Sequence, residues 1–213
     1  MDELRDLLTP TNCALVLVDQ QAGLAFAVQS SDRQVLLNNA VALVRAVRAF
    51  DVPVIVSTSA SKVYGGPLMP PLREVLHDVD VLERHNMNVW EDDGVRDAIV
   101  ATGRKKLIFA GLLTEACVTF PVLSTLAAGY EVLVVADACG GLTTTSHELA
   151  LDRMQQRGAR MTSWLQVLLE LQRDWTRKET YAAVRAIVED NGGGYGLGLR
   201  YAAEMLPKPT PKP

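Results

Sequence analysis

Four short runs along the chain are apolar almost without interruption: CALVLVDQ (13–20), PVIVST (53–58), KLIFAGL (106–112) and EVLVVADA (131–138). Polar residues do not alternate with apolar ones inside them. That is the pattern of strands buried on both faces of a parallel sheet. Weaker strand signals lie at VDVLER (79–84) and ARMTSW (159–164). Between the runs come stretches with helical spacing, at roughly 32–50, 91–102, 115–128 and 143–157. In the first of these, Val35, Leu36, Asn39, Leu43, Val47 and Phe50 recur at three and four residues, the spacing of one helix face. Gly103, Gly129 and Gly158 each fall where a helix should stop before the next strand. The alternation predicts right-handed βαβ units and an α/β fold whose parallel sheet is covered by helices. Ligands are expected at the carboxyl ends of the strands, where strand order reverses. Periodicity leaves the order itself open.

The last fifth of the chain reads differently. LQVLLELQRDW continues helically, and KETYAAVRAIVED has the pattern of a further amphipathic helix. NGGGYGLGLR is flexible by composition, and PKPTPKP can form neither a helix nor a central strand. The expected organisation is one domain over 1–175, a helical arm over 176–205 packed on a neighbouring subunit, and a flexible tail over 206–213.

Charge and cysteine usage narrow the class. Charged residues make up 22% of the 213 and the formal net charge is −4, so electrostatics favour neither nucleic acid nor an anionic membrane as partner. No apolar run approaches the ~20 residues needed to cross a bilayer, and the acidic opening MDELRDLLTPTN lacks the order of a secretion signal. Cys13, Cys117 and Cys139 form neither a disulfide framework nor a CxxC pair, which fits a reducing compartment. The expectation is a soluble cytoplasmic protein.

One of those cysteines stands apart. In GLLTEACVTFPVLSTL (111–126), Cys117 follows a strand and opens a helix. The unpaired N–H groups and positive dipole end of a helix N-terminus favour thiolate, and the same N–H groups can hold an oxyanion. Pro121 has no N–H to give the Cys117 carbonyl, which hints at distorted backbone there. The bland reading is a small buried hydrophobe. Asp19 ends the first strand and reads either as a local cap or as the general base for that thiol. Arg84 follows the short strand at 79–84. It reads as a surface cation or as fixed positive charge that steadies thiolate and carboxylate without exchanging a proton.

ALVLVDQQAGL, RHNMNVWEDDGVRDAIVATGRKKLIFAGLLTEACVTFPVLSTLAAGYEVLVVADACGG and ALDRMQQRGARMTSW together resemble the isochorismatase-like cysteine hydrolases, most of all their YcaC-like branch. The resemblance covers about residues 10–175. It implies a Rossmann-like three-layer α/β/α sandwich with a mostly parallel sheet in the order 3-2-1-4-5-6, and a catalytic triad of Asp19, Arg84 and Cys117. The third member is lysine in most of the superfamily, so arginine is a departure. The resemblance also implies a non-proline cis peptide at Leu113–Thr114, aiming backbone N–H groups near Thr114 and Cys117 at the oxyanion. Zinc in the nicotinamidase relatives is held by an Asp-x-His and a second histidine. The matching stretch here, STSASKVYGGPLMPPL, has neither residue type, so neither metal nor cofactor is expected.

The reaction so implied is hydrolysis of a C–N bond in a small amide or carbamoyl compound through a thioester on Cys117. The alternatives are a vinyl-ether hydrolase of the isochorismatase kind, and an oligomeric scaffold with an oxidisable cysteine and no catalysis. Gln20, Phe26, Asn88, Trp90 and Phe120 are the candidate substrate contacts, although Phe26 and Phe120 read first as core, and Glu115 as serving the helix terminus. The expected partners are a small-molecule substrate and further copies of the chain. His77, His85 and His147 show no ligand spacing and read as structural or surface residues.

Overall fold

The computed structural model describes residues 7–206. Six strands form one parallel sheet in the order β3-β2-β1-β4-β5-β6: β1 (Cys13–Val18), β2 (Val54–Ser59), β3 (Val81–Arg84), β4 (Lys106–Gly111), β5 (Glu131–Val135) and β6 (Arg160–Thr162). The central strands β1 and β4 are buried at every position, as their unbroken apolar runs require. They pair along their full length, from Cys13 opposite Lys106 to Val18 opposite Gly111. The contact is close at its far end: a Cβ on Gly111 would lie 2.2 Å from the Val18 carbonyl oxygen.

Helices connect the strands: α1 (Ala22–Ala27), α2 (Arg33–Arg48), α3 (Pro70–Val75), α4 (Asp93–Ala101), α5 (Thr119–Ala127), α6 (Thr144–Gln156) and α7 (Trp164–Gln172). The face of α2 that packs inward carries Leu36, Asn39, Ala40, Leu43, Val44 and Val47, while Val35 is exposed. Gly103, Gly129 and Gly158 hold φ of +65°, +87° and +103° at the ends of α4, α5 and α6, the left-handed backbone that glycine adopts without a Cβ clash. Among the described residues no helix is long and apolar enough to cross a membrane.

Two helices occupy the region of the expected C-terminal arm. Helix α8 (Lys178–Asn191) buries Val184, Ile187 and Val188 and packs on α2 of its own chain. Asn191 donates to Asn38 Oδ1 at 2.9 Å and accepts from Arg45 at 2.8 Å. The glycine-rich stretch is helical as α9 (Gly193–Met205), because glycine lets α9 cross α8 closely: a Cβ on Gly196 would lie 2.3 Å from the Val188 carbonyl oxygen. Tyr195, Leu197, Tyr201 and Met205 nevertheless remain exposed on it, as does Leu206 just past its end. The expected tail beyond Leu206 lies outside the described residues.

Candidate active site

The strand order reverses between β1 and β4, and the site is built there, at their carboxyl ends. Asp19 follows β1 with φ of +53°, a left-handed conformation that aspartate tolerates better than most residues. The turn ends the strand and carries the carboxylate across β2. Arg84, the last residue of β3, meets it there. Its Nη1 donates to Asp19 Oδ1 at 2.6 Å and its Nη2 to Oδ2 at 2.7 Å. Both side chains are fully buried. Nη1 also donates to Ser57 Oγ at 3.2 Å and Nη2 to the Met87 carbonyl at 3.3 Å, while Ser59 Oγ donates to Asp19 Oδ2 at 3.3 Å. A buried pair is tolerable only with paired geometry of this kind. Arginine at this position can supply two parallel bonds, where lysine would offer a single point charge.

Cys117 reaches the pair from the far side of the switch point. After β4 the chain does not enter a regular helix. Thr114–Val118 forms a π-helical turn, and α5 begins only at Thr119. This widened turn is the distortion foreshadowed by Pro121, and the Val118 N–H reaches back to the Leu113 carbonyl at 3.3 Å. The half-buried thiol has its pKa pushed up to about 12, first by burial, then by the Asp19 charge and by hydrogen bonding to that carboxylate. Arg84 and a hydrogen bond from the Leu113 backbone pull the other way. The pull of the helix end toward thiolate is thus outweighed: desolvation and the neighbouring carboxylate prevail over the guanidinium, so the thiol needs a base to give up its proton.

Two further expectations about this turn change. The non-proline cis bond is Leu112–Leu113, one residue before the expected Leu113–Thr114. Sheet pairing extends to Leu112, whose N–H donates to the Val18 carbonyl at 3.1 Å, so the chain leaves the sheet immediately after it. The Thr114 N–H is committed to the Gly140 carbonyl at 2.9 Å, which takes it from the set of oxyanion donors.

The five candidate substrate contacts separate into two groups. Gln20, Asn88 and Trp90 are tied into the protein. Gln20 is fully buried, with its amide donating to the Ala138 carbonyl at 2.9 Å and Oε1 left without a partner among the described residues. Asn88 caps the short turn Val89–Glu91 and donates to Ser124 Oγ on α5 at 2.9 Å, while Trp90 stands edge-on to Tyr130 at 5.5 Å. Phe26 and Phe120 are accessible, at 75% and 36% exposure, and not core. The short α1 buries only Ala25. Glu115 is expected to serve the helix terminus; its Oε1 instead accepts the Leu142 N–H at 2.9 Å, in the loop before α6.

Sequence reasoning missed Ser57 and Ser59. They stand on β2 opposite Leu82 and Arg84, and two hydroxyls at alternate positions of a buried strand were the available signal. Among the described residues no group of three or more His, Cys, Asp or Glu side chains could hold a metal ion.

Comparison with known proteins identifies the family. A family model described as Isochorismatase domain matches residues 13–166. The chain is 39% identical over 169 residues to "Probable hydrolase YcaC" of Escherichia coli (strain K12), covering 79% of this chain and 81% of that protein. It superposes on the structure of the E. coli YcaC gene product, described as an octameric hydrolase of unknown specificity, with a TM-score of 0.90 and 35% identity over 95% of this chain and 98% of that one. It is also similar to YcaC from Pseudomonas aeruginosa with hexane-2,5-diol and covalent acrylamide. There the TM-score is 0.89 and the identity 34%, covering 93% and 98% of the two chains.

Proposed function

The chain belongs to the isochorismatase family of hydrolases, and on that premise we propose that it cleaves a C–N bond of a small amide or carbamoyl compound through a thioester on Cys117. The observation that carries this is the buried Asp19–Arg84 pair acting on an adjacent, partly accessible thiol. Arg84 holds both carboxylate oxygens and fixes the base against the sulfur. Because the thiol is protonated at rest, the nucleophile forms only as the proton passes to Asp19 during attack. The new S–C bond, formed as the carbonyl π bond opens, places an oxyanion two bonds from the sulfur. The Leu113 backbone, which already donates to that sulfur, is the candidate donor to it. Collapse expels the amine, which takes the proton from Asp19. Water then gives a proton to Asp19 and attacks the thioester, and the S–C bond breaks to restore the thiol and release the acid.

The covalent acrylamide on the P. aeruginosa relative supports a nucleophile of this kind, since acrylamide adds to thiolates and is itself a small amide. The vinyl-ether reading fares less well, because that chemistry calls on an acid group more than on a nucleophile, and a partly accessible Cys117 stands beside Asp19. No metal enters the proposal, as the stretch that binds zinc in the nicotinamidases carries no ligand residues here. Phe120, three positions past Cys117, and Phe26 are the accessible candidates for substrate contact. By analogy with the octameric relative, the chain assembles with itself, and the exposed apolar side chains of α9 supply a contact face; light scattering on the eluted protein measures this.

The test of the reaction is ammonia or amine release across a panel of small amides and carbamoyl compounds. Turnover that vanishes in Cys117→Ser and Asp19→Asn supports the proposal, and turnover that survives in Cys117→Ser rejects it.

A further inference from the structure

The turn that carries Cys117 is gripped from behind by side chains that take no part in the hydrolytic steps. Thr114, its first residue, is fully buried with every polar group engaged. The N–H donates to the Gly140 carbonyl at 2.9 Å, the carbonyl accepts from Thr119 Oγ1 at 2.6 Å, and Oγ1 lies 2.8 Å from His147 Nδ1. His147 is half-buried on α6. Glu115 lies beside it, with Oε2 buried and without a hydrogen-bond partner among the described residues. Gly141 closes the cluster, since a Cβ there would stand 2.8 Å from Glu115 Oε2 and 3.0 Å from His147 Cβ.

The placement matters because the turn is an irregular one. A π-helical turn departs from the backbone that the chain adopts by default, and such turns concentrate at functional sites. Relaxation of Thr114–Val118 to a regular α-helical turn would rotate Cys117 about the helix axis and withdraw its sulfur from Asp19. Something outside the turn must hold Thr114 against that. Backbone bonding to Gly140 fixes one side, and the imidazole fixes the other. The bond serves in either tautomer of a neutral imidazole, because the hydroxyl can donate or accept. Burial moves the His147 pKa down, with Glu115 and then Glu148 opposing it, which favours the neutral ring.

We propose that His147 is a positioning residue, whose hydrogen bond to Thr114 Oγ1 locks the widened turn so that the Cys117 sulfur stays against Asp19. The inference rests on the reading of Cys117 as nucleophile and Asp19 as its base. It places a side chain 30 residues beyond Cys117 in control of that partnership without contact with substrate.

The experiment measures how far Cys117 alkylation by limiting iodoacetamide depends on Asp19, by peptide mass spectrometry with Cys13 and Cys139 as internal references. In the otherwise wild-type chain, Asp19→Asn is expected to slow Cys117 alkylation by about a hundredfold, the lower range for loss of a general base. In a His147→Ala background the same change is expected to slow it by about tenfold or less, because a relaxed turn has already parted sulfur and carboxylate. His147→Asn, which keeps a hydrogen-bonding atom near the Nδ1 position, restores the full dependence. Thr114→Val removes the same bond from the other end and reproduces His147→Ala, which keeps the test alive if the alanine variant does not fold. A merely structural histidine would lower the melting temperature and leave the Asp19 dependence unchanged, and that result overturns the proposal. So does a His147→Asn variant that behaves like His147→Ala. Absence of any Asp19 dependence in the wild-type background instead removes the nucleophile–base reading on which the inference stands.

Discussion

Replacing Arg84 by methionine strips two hydrogen bonds of 2.6 and 2.7 Å from a carboxylate with no access to solvent. Each bond to a charged group contributes about 1.5–3 kcal/mol, so the pair together accounts for about 3–6 kcal/mol. An independent estimate agrees: removing one partner of a buried ion pair costs about 3–5 kcal/mol, because the other charge is stranded. The expected loss for Arg84→Met is therefore about 4 kcal/mol. Arg84→Lys keeps the charge but satisfies one carboxylate oxygen at a time, so about half of that loss is expected. A double variant, Asp19→Leu with Arg84→Met, strands nothing and is expected to be more stable than either single change suggests, with a coupling of at least about 2 kcal/mol. Urea unfolding at constant m measures all of these. Arg84→Met lying within about 1 kcal/mol of the parent, or additive losses in the double variant, would refute the reasoning, since exposed pairs behave that way.

Other expectations follow from single contacts. The fully buried Cys139 thiol is pushed up from 9.0 to about 12, burial being the largest cause. The folded form holds a proton that the unfolded chain releases, so this contribution is complete below pH 9 and is lost as pH rises to about 12. That amounts to about 4 kcal/mol in all, and the fall in stability across that window should be shallower by about that amount in Cys139→Ala, with Cys13 and Cys117 supplying the remainder. Gly111→Ala places a methyl 2.2 Å from the Val18 carbonyl oxygen. It should cost about 1–3 kcal/mol and erase the preference for Cys117 in alkylation, because β1 and β4 then no longer align Asp19 with the cysteine turn. Arg84→Met should also slow Cys117 alkylation, since the guanidinium is one of the influences that lower its pKa.

The central strands were legible because burial on both faces leaves no polar position to blur the run, and β1 and β4 are buried throughout. The helix ends at Gly103, Gly129 and Gly158 were legible because only left-handed backbone makes glycine necessary there. Helices α1 and α3 were not, since six residues carry too few turns to show a period. Glycine misled in α9 because composition cannot tell freedom of the backbone from closeness of packing, and at Gly196 closeness is what counts. Strand ends brought Asp19, Arg84 and Cys117 into consideration, and family resemblance joined them. How far the thiol's pKa is raised lay outside both, because it depends on how much of the sulfur the fold desolvates. The bond between Thr114 and His147 spans 33 positions and leaves no trace in local pattern.

The central claim is that the Cys117 sulfur attacks a carbonyl with Asp19 as its base. Intact-mass and peptide mapping of protein quenched in acid during incubation with the amide and carbamoyl panel tests it most directly. An acyl group found on the Cys117 peptide, absent in Cys117→Ser and reduced in Asp19→Asn, is the expected result. Turnover of a panel member with Cys117 never modified, or with the acyl group on another residue, would contradict it.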